Sequence, residues 1–218
     1  DKAIDAAKNA IKQNSNYAEA YYSRGMAYYK AGKLPDAIND MNKAVSLNNN
    51  NGQWYYNLAK CLDDKMDYTN AYNAYSSVLK TDTLHTLPDA LYYRGRSGYA
   101  AQNYTDALSD YLQCISSGLD SVSVSFNNEM GNIYLNLGKY DSAIVWYQKQ
   151  LSKDAGNGYA MYGIASSSFL KGNTSEALGW FEKSFQTKAV SGAEIKKDKH
   201  IANLRNEKSF KALLKKYY

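Results

Sequence analysis

The sequence predicts an all-α chain: a solenoid of antiparallel helix pairs, closed at its C-terminal end by capping helices. Three observations carry this. Ala37 comes back at Ala71, Ala107, Ala143 and Ala177, about 34 residues on each time, and a fixed period in that range marks stacked, self-similar units. A small residue recurs in phase upstream of it, at Gly25, Ala59, Gly95, Gly131 and Ala165. Glycine falls at one phase between two helical patterns, at Gly32, Gly138 and Gly172, where a helix ending in a left-handed residue calls for it.

Taken in order, residues 1–14 read as the second helix of a repeat whose first helix lies upstream. Ala3 and Ala10 stand 34 residues before Ala37 and Ala44. Complete units begin at Ala18, Gly52, Pro88, Val124 and Gly158, spanning 18–51, 52–87, 88–123, 124–157 and 158–191. A two-residue insertion is placed within 83–87. Each unit reads as helix, short turn, helix. In the first, Glu19–Tyr29 carries apolar residues at helical spacing and Ala31-Gly32-Lys33 breaks it. Pro35 and Pro88 sit near helix starts, where a missing N–H matters little. Beyond Thr187 the phase is lost, and 192–218 reads as capping helices over Ala193–Leu204 and Lys208–Tyr217. Ile201, Leu204, Phe210, Leu213 and Leu214 supply their apolar stripe. The chain is expected to be one module of a longer protein, with Tyr218 near a natural end.

The small residues have a packing reason: two helices joined by a three-residue turn cross closely, and only Gly, Ala or Ser lets the backbones approach. Tyr28, Leu62 and Tyr134 on first helices, and Met41, Tyr75, Tyr111, Tyr147 and Phe181 on second helices, fill the space around the crossings. Leu34, Tyr68, Tyr104 and Tyr140 at the turn phase cover the seam to the next unit. One pair of positions varies in step. Arg24 and Arg94 stand where other units have Leu58, Met130 and Ile164; the same two units carry Asp40 and Asp110 in place of Ala74, Trp146 and Trp180. Ion pairs Arg24–Asp40 and Arg94–Asp110 are expected between the helices of each unit.

These units resemble tetratricopeptide repeats. The family's pattern of aromatic, glycine and alanine positions is met in the first unit by Tyr21, Gly25, Tyr28, Ala37, Met41 and Ala44. Its late proline is missing throughout, with Asn49, Thr83, Leu119, Ala155 and Ala189 there instead. The likeness covers roughly residues 1–191, and Asn206–Phe210 resembles the tail that follows the last repeat in bacterial members. It implies a right-handed superhelix whose first helices line a concave surface.

Composition bounds the chemistry. The segment 188–218 holds nine Lys or Arg against three Asp or Glu, a net of +6, while the whole chain is +5; the repeats therefore sum to about −1. A basic patch of this kind suits nucleic acid or an anionic surface, but basic and aromatic residues are not interleaved across several repeats, so a solvated capping face is the favoured reading. No apolar run approaches the length of a membrane span. The two histidines, His85 in the inserted loop and His200 in the tail, are too scattered for a metal cluster or a triad. There is no phosphate-cradling glycine loop and no HExxH. No catalytic residue, metal, cofactor or small-molecule substrate is expected. Cys61 and Cys114 fall at helix-interior phases and read as small apolar core residues, leaving the compartment, bacterial cytoplasm or envelope, open.

The resemblance points inward the second, fifth, ninth and twelfth positions of each unit. The candidate partner-binding residues are Tyr22, Tyr56, Tyr92, Asn128 and Tyr162 at the fifth phase, and Met26, Lys60, Arg96 and Asn132 at the ninth, with Asn57 beside them. Tyr, Arg and Met are side chains that interfaces favour. Chaperone-binding members grip a terminal carboxylate with lysines and asparagines at set phases; here those phases hold Tyr22, Met26, Asp89 and Tyr93, and Asn57 alone fits. The leading expectation is a non-catalytic scaffold that docks a partner segment in the groove. Its rivals are an oligomerising structural module and an anionic-surface or nucleic-acid binder using the basic tail. Trp146 and Trp180 on second helices are expected to pack against neighbouring helices.

Overall fold

A computed structural model describes residues 2–82, 86–119, 121 and 123–218. The insertion placed within 83–87 thus falls partly, and His85 wholly, outside the described residues. The described secondary structure is helical. A lone helix α1 (Lys2–Gln13) is followed by five antiparallel pairs: α2 (Ala18–Lys30) with α3 (Leu34–Leu47), α4 (Gly52–Asp64) with α5 (Tyr68–Thr81), α6 (Ala90–Ala100) with α7 (Tyr104–Ser116), α8 (Phe126–Asn136) with α9 (Tyr140–Lys153), and α10 (Gly158–Leu170) with α11 (Thr174–Thr187). The chain divides into two compact units, Asp1–Leu119 and Asp120–Tyr218. Within the first, α1 packs on α2, α3 on α4 and α5 on α6; within the second, α9 packs on α10.

The turns inside each pair share one construction. Gly32, Gly138 and Gly172 have φ of 72°, 71° and 93°. The next N–H reaches back across the helix end: Lys33 N to Tyr28 O at 2.9 Å, Lys139 N to Tyr134 O at 2.9 Å, and Asn173 N to Ser168 O at 2.9 Å. This is the Schellman closure, which satisfies carbonyls a helix end would otherwise orphan. The remaining two repeats make it without glycine, with Met66 at φ 63° and Gln102 at φ 66°. Pro35 lies in the first turn of α3. Pro88 differs from it: it stands in a turn ahead of α6, which starts at Ala90. The repeat starts at 88 and 124 are also two residues further apart than the 34-residue period, as are Ala107 and Ala143, so the connection after α7 carries a second extension.

The cores form where the small phase meets the large one. Ala37, Ala71, Ala107, Ala143 and Ala177 are all fully buried, as are Met41, Tyr75 and Phe181. In the second unit the Tyr147 ring sits in a slot between two glycines. A Cβ built on Gly131 would come 2.5 Å from its Cε1, and one on Gly163 would come 2.3 Å from its Cζ. Glycine at both positions is therefore a steric requirement. Across the crossings of the first and third repeats run two forked ion pairs. Arg24 Nε and Nη2 donate to Asp40 at 2.6 and 2.8 Å, and Arg94 Nε and Nη2 donate to Asp110 at 2.9 and 2.5 Å. Burial pushes the Asp110 carboxyl up while the Arg94 bond pulls it back; the same bond holds the Arg94 guanidinium above its ordinary value.

The C-terminal cap departs from the two helices expected. Helix α12 (Gly192–Lys197) opens on a capping box, Ser191 and Glu194 each accepting from the other's backbone N–H. It ends at Asp198 rather than running to Leu204. The Asp198 carboxylate accepts from His200 N at 2.9 Å, a local bond that competes with helix continuation, and two 3-10 turns follow at Lys199–Ile201 and Leu204–Asn206. Helix α13 (Lys208–Tyr217) then brings Phe210 against Phe181, ring centroids 5.1 Å apart. Ile195, Ile201, Leu204 and Phe210 are fully buried with Phe181 and Phe185.

Candidate partner-binding face

The inward phases of the first unit combine aromatic rings with exposed cations. Tyr22 of α2 stacks on Trp54 at 4.9 Å and 15°, and its hydroxyl accepts from Asn57 Nδ2 at 2.6 Å. Burial raises its pKa, the Asn57 bond opposing. Tyr56 of α4 donates to Asp89 Oδ2 at 2.7 Å; burial first, then that bond, push its pKa up. Lys60, one turn on and exposed, holds its ammonium 5.8 Å from the centroid of the Tyr56 ring. Arg96 of α6, also exposed, lies 5.7 Å from the Tyr93 ring, which stacks in turn on the buried Tyr75 at 5.9 Å. Met26 is half-buried against the core.

One candidate is placed otherwise than expected. Tyr92 is only 3% exposed, packed against Tyr93 and Tyr111 with centroids 5.3 and 5.7 Å away, so it offers a partner almost no surface. Its half-buried neighbour Tyr93 stacks on Tyr75 in its place.

In the second unit the same phases are tied to neighbouring side chains. Tyr162 donates to Asp198 Oδ2 at 2.9 Å and meets Phe181 edge-on at 5.1 Å; burial leads the upward push on its pKa. Asn132 Oδ1 accepts from Tyr147 Oη at 2.7 Å. Asn128 Nδ2 donates to Asn157 Oδ1 at 3.0 Å. Ser166, at the ninth phase, is fully buried.

A pattern joins these contacts that side-chain type alone does not reveal. Fifth-phase hydroxyls bond about one repeat downstream: Tyr22 to Asn57, Tyr56 to Asp89, Tyr162 to Asp198. Tyr29 does likewise, its Oη on Asp64 Oδ2 at 2.6 Å, whereas Ser97 Oγ donates one repeat upstream, to Asp63 Oδ1 at 2.7 Å. The bond to Asp64 leads in pushing the Tyr29 pKa up to about 12. The signal was available in the sequence as Asn or Asp residues 33 to 36 positions after each tyrosine.

On the second helices, Trp146 and Trp180 are half-buried, with Lys149 Nζ 3.7 Å and Lys183 Nζ 4.2 Å from their ring centroids. Cys61 and Cys114 are free and buried; burial pushes both thiols up to about 12, which suppresses the reactive thiolate. Among the described residues no three His, Cys, Asp or Glu side chains form a metal site, and no helix is long and apolar enough to cross a membrane.

Helix pairs of this length, closed by the same turn and stacked in phase, define the class of α-helical repeat proteins. The chain belongs to the tetratricopeptide repeat family: family profiles for that repeat match residues 18–51, 56–114 and 124–155. A curated relative, the TPR repeat-containing protein MJ1428 of Methanocaldococcus jannaschii, is 24% identical over 192 residues. That match takes in 86% of this chain but 29% of the relative, so the chain spans under a third of its length. Among solved structures, MamA superposes with a TM-score of 0.66 at 23% identity, over 78% of this chain and 91% of that one. YrrB, described as a TPR protein with an unusual peptide-binding site, gives 0.70 at 20% identity over 89% and 98%. A tetratricopeptide repeat protein from Parabacteroides merdae gives 0.65 at 20% over 99% and 84%. These likenesses establish the fold: an all-α tetratricopeptide solenoid, the architecture of protein-interaction scaffolds that are in general non-catalytic.

Proposed function

We propose that the chain is a non-catalytic scaffold that docks a segment of a partner protein on its first-helix face, with the first unit as the contact surface. The observation that carries this is the pair of exposed cations, Lys60 and Arg96, each against a tyrosine ring. Arginine and tyrosine are favoured at interfaces, and an exposed cation beside a ring brings positive charge to the edge of an apolar platform. Tyr56 supplies a half-buried ring whose hydroxyl already donates to Asp89, so it serves as an apolar platform rather than as a donor; Tyr22 supplies a second half-buried ring whose hydroxyl accepts from Asn57 and keeps its own proton to give. Asn57, bonded to Tyr22, acts through it. YrrB, with its peptide-binding site, shares this fold and lends the reading support by analogy alone.

The test spares the tyrosines, since Tyr56 ties two repeats together. Affinity capture from lysate of the source organism compares the wild type with Lys60→Glu/Arg96→Glu and with Lys43→Glu/Lys80→Glu, a charge-matched change at exposed second-helix positions. All three must melt alike. A partner lost only by the first variant supports the face named here. One retained equally by both variants removes it, and capture of the chain by itself alone favours an oligomerising module.

A further inference from the structure

A recess lies in the C-terminal cap, built by residues that take no part in the first-helix face. Its volume is about 500 Å³, within the range of natural ligand pockets, roughly 300–1,000 Å³. Ile195 of α12 is fully buried beneath it, and Leu214 of α13 and the terminal Tyr218 wall it. Three cations share the lining: Lys196, Arg205 and Lys215. None of the three has a carboxylate partner among the described residues.

Arg205 is held in place. Its Nη1 donates to the carbonyls of Ile195, Lys196 and Asp198 at 3.1, 2.5 and 3.0 Å, closing the C-terminal end of α12 as a basic side chain does there. Its Nε and Nη2 have no protein acceptor among the described residues. The acids nearby are committed elsewhere, Glu194 to Ser191 and Tyr159, Asp198 to His200 and Tyr162. The lining of the recess thus carries three positive charges and no carboxylate side chain around its apolar floor.

From this complementarity we infer that the recess docks an acidic segment of a partner protein. A bulky apolar side chain enters the cavity and flanking carboxylates meet Lys196, Arg205 and Lys215. A nucleic acid is the poorer fit, because single strands are gripped on aromatic stacking platforms and here the floor is aliphatic with one ring. The inference stands independently of the first-helix face, since no residue is shared.

The probe is a fluorescein-labelled hexapeptide, Glu-Asp-Leu-Phe-Asp-Glu, titrated with the full chain by fluorescence anisotropy. Saturable binding is expected. Lys196→Glu/Lys215→Glu should weaken it about tenfold or more, and Lys208→Glu/Lys211→Glu, the same charge change outside the recess, should leave it within about twofold. Ala193→Trp, at an exposed lining position, plugs the mouth and should abolish binding with an unchanged circular dichroism spectrum. A probe with Ser-Ser in place of Leu-Phe should bind at least about tenfold more weakly. The proposal is overturned by no saturable binding, by equal loss in both charge variants, or by equal affinity for the Ser-Ser probe. It is likewise overturned if a mixed-sequence oligonucleotide or phosphatidylserine vesicles bind with the same dependence on Lys196 and Lys215 while the peptide does not.

Discussion

Arg94 and Asp110 show how differently one interaction weighs on its two partners. Asp110 is nearly buried, its side chain 3% exposed, whereas Arg94 keeps 22%. Removing arginine strands a buried carboxylate, so Arg94→Leu should destabilise by about 3–5 kcal/mol. Asp110→Ala should cost less, because the freed guanidinium reaches water. The double change Arg94→Leu/Asp110→Ala, which copies Leu58 and Ala74 of the second repeat, should recover most of the loss. Urea midpoints across this cycle decide it; additive losses would mean the pair is not coupled. Met66 and Gln102 offer the opposite case. Both hold a left-handed backbone where three sister repeats have glycine, and Met66 is 74% exposed. Met66→Gly and Gln102→Gly should each raise stability by about 0.5–1 kcal/mol, the relief of strain exceeding the entropy glycine adds to the unfolded chain.

At the scale of helices, glycines divide into those that must be glycine and those that need not. Gly131 and Gly163 grip the Tyr147 ring, and alanine at either should cost about 1–3 kcal/mol through overpacking. Gly179 lies inside α11 with nothing within 4 Å of a Cβ, so Gly179→Ala should gain close to 1 kcal/mol from helix propensity. Thermal melts of the three variants test this contrast, and a loss for Gly179→Ala would refute it. The break after α12 has a titratable origin. Burial opposes the Asp198 carboxylate, but the bonds from His200 and Tyr162 win and hold its pKa below the ordinary range. A depressed carboxyl contributes stability that is present above its unfolded value, about 3.9, and is lost as pH falls through the folded one. Wild type should thus lose stability below about pH 4 more steeply than Asp198→Asn, followed by near-ultraviolet circular dichroism of the cap aromatics.

For the molecule as a whole, the period was readable because helix pairs crossing this closely tolerate only small side chains at one phase, and the sequence repeats that demand. The Arg–Asp pairs were readable because both partners change together. The cap was harder: Ala193–Leu204 has helical spacing throughout, and only the competing Asp198 bond stops it. Surface exposure was the least legible, since Tyr92 and Tyr22 look alike in sequence although one is buried and the other half-buried. The cap also balances the chain chemically. It covers Phe181 and Phe185, and removing residues 188–218 would take the net charge from +5 to about −1. That truncation should aggregate at concentrations where the full chain stays monodisperse by light scattering, because it loses its charge and uncovers its rings together. A truncated chain that remained soluble would mean the last repeat closes itself.

The downstream ties of Tyr22 and Tyr56 bear on how a ligand would be held. A side chain already fixed at both ring and hydroxyl has little rotamer freedom left to surrender on association, where each mobile side chain ordinarily costs about 0.5–1.5 kcal/mol. Binding to such a surface would then be limited by the ordering of the partner's own backbone, and a partner pre-stiffened by cyclisation should gain more affinity here than any mutation of the tyrosines could add.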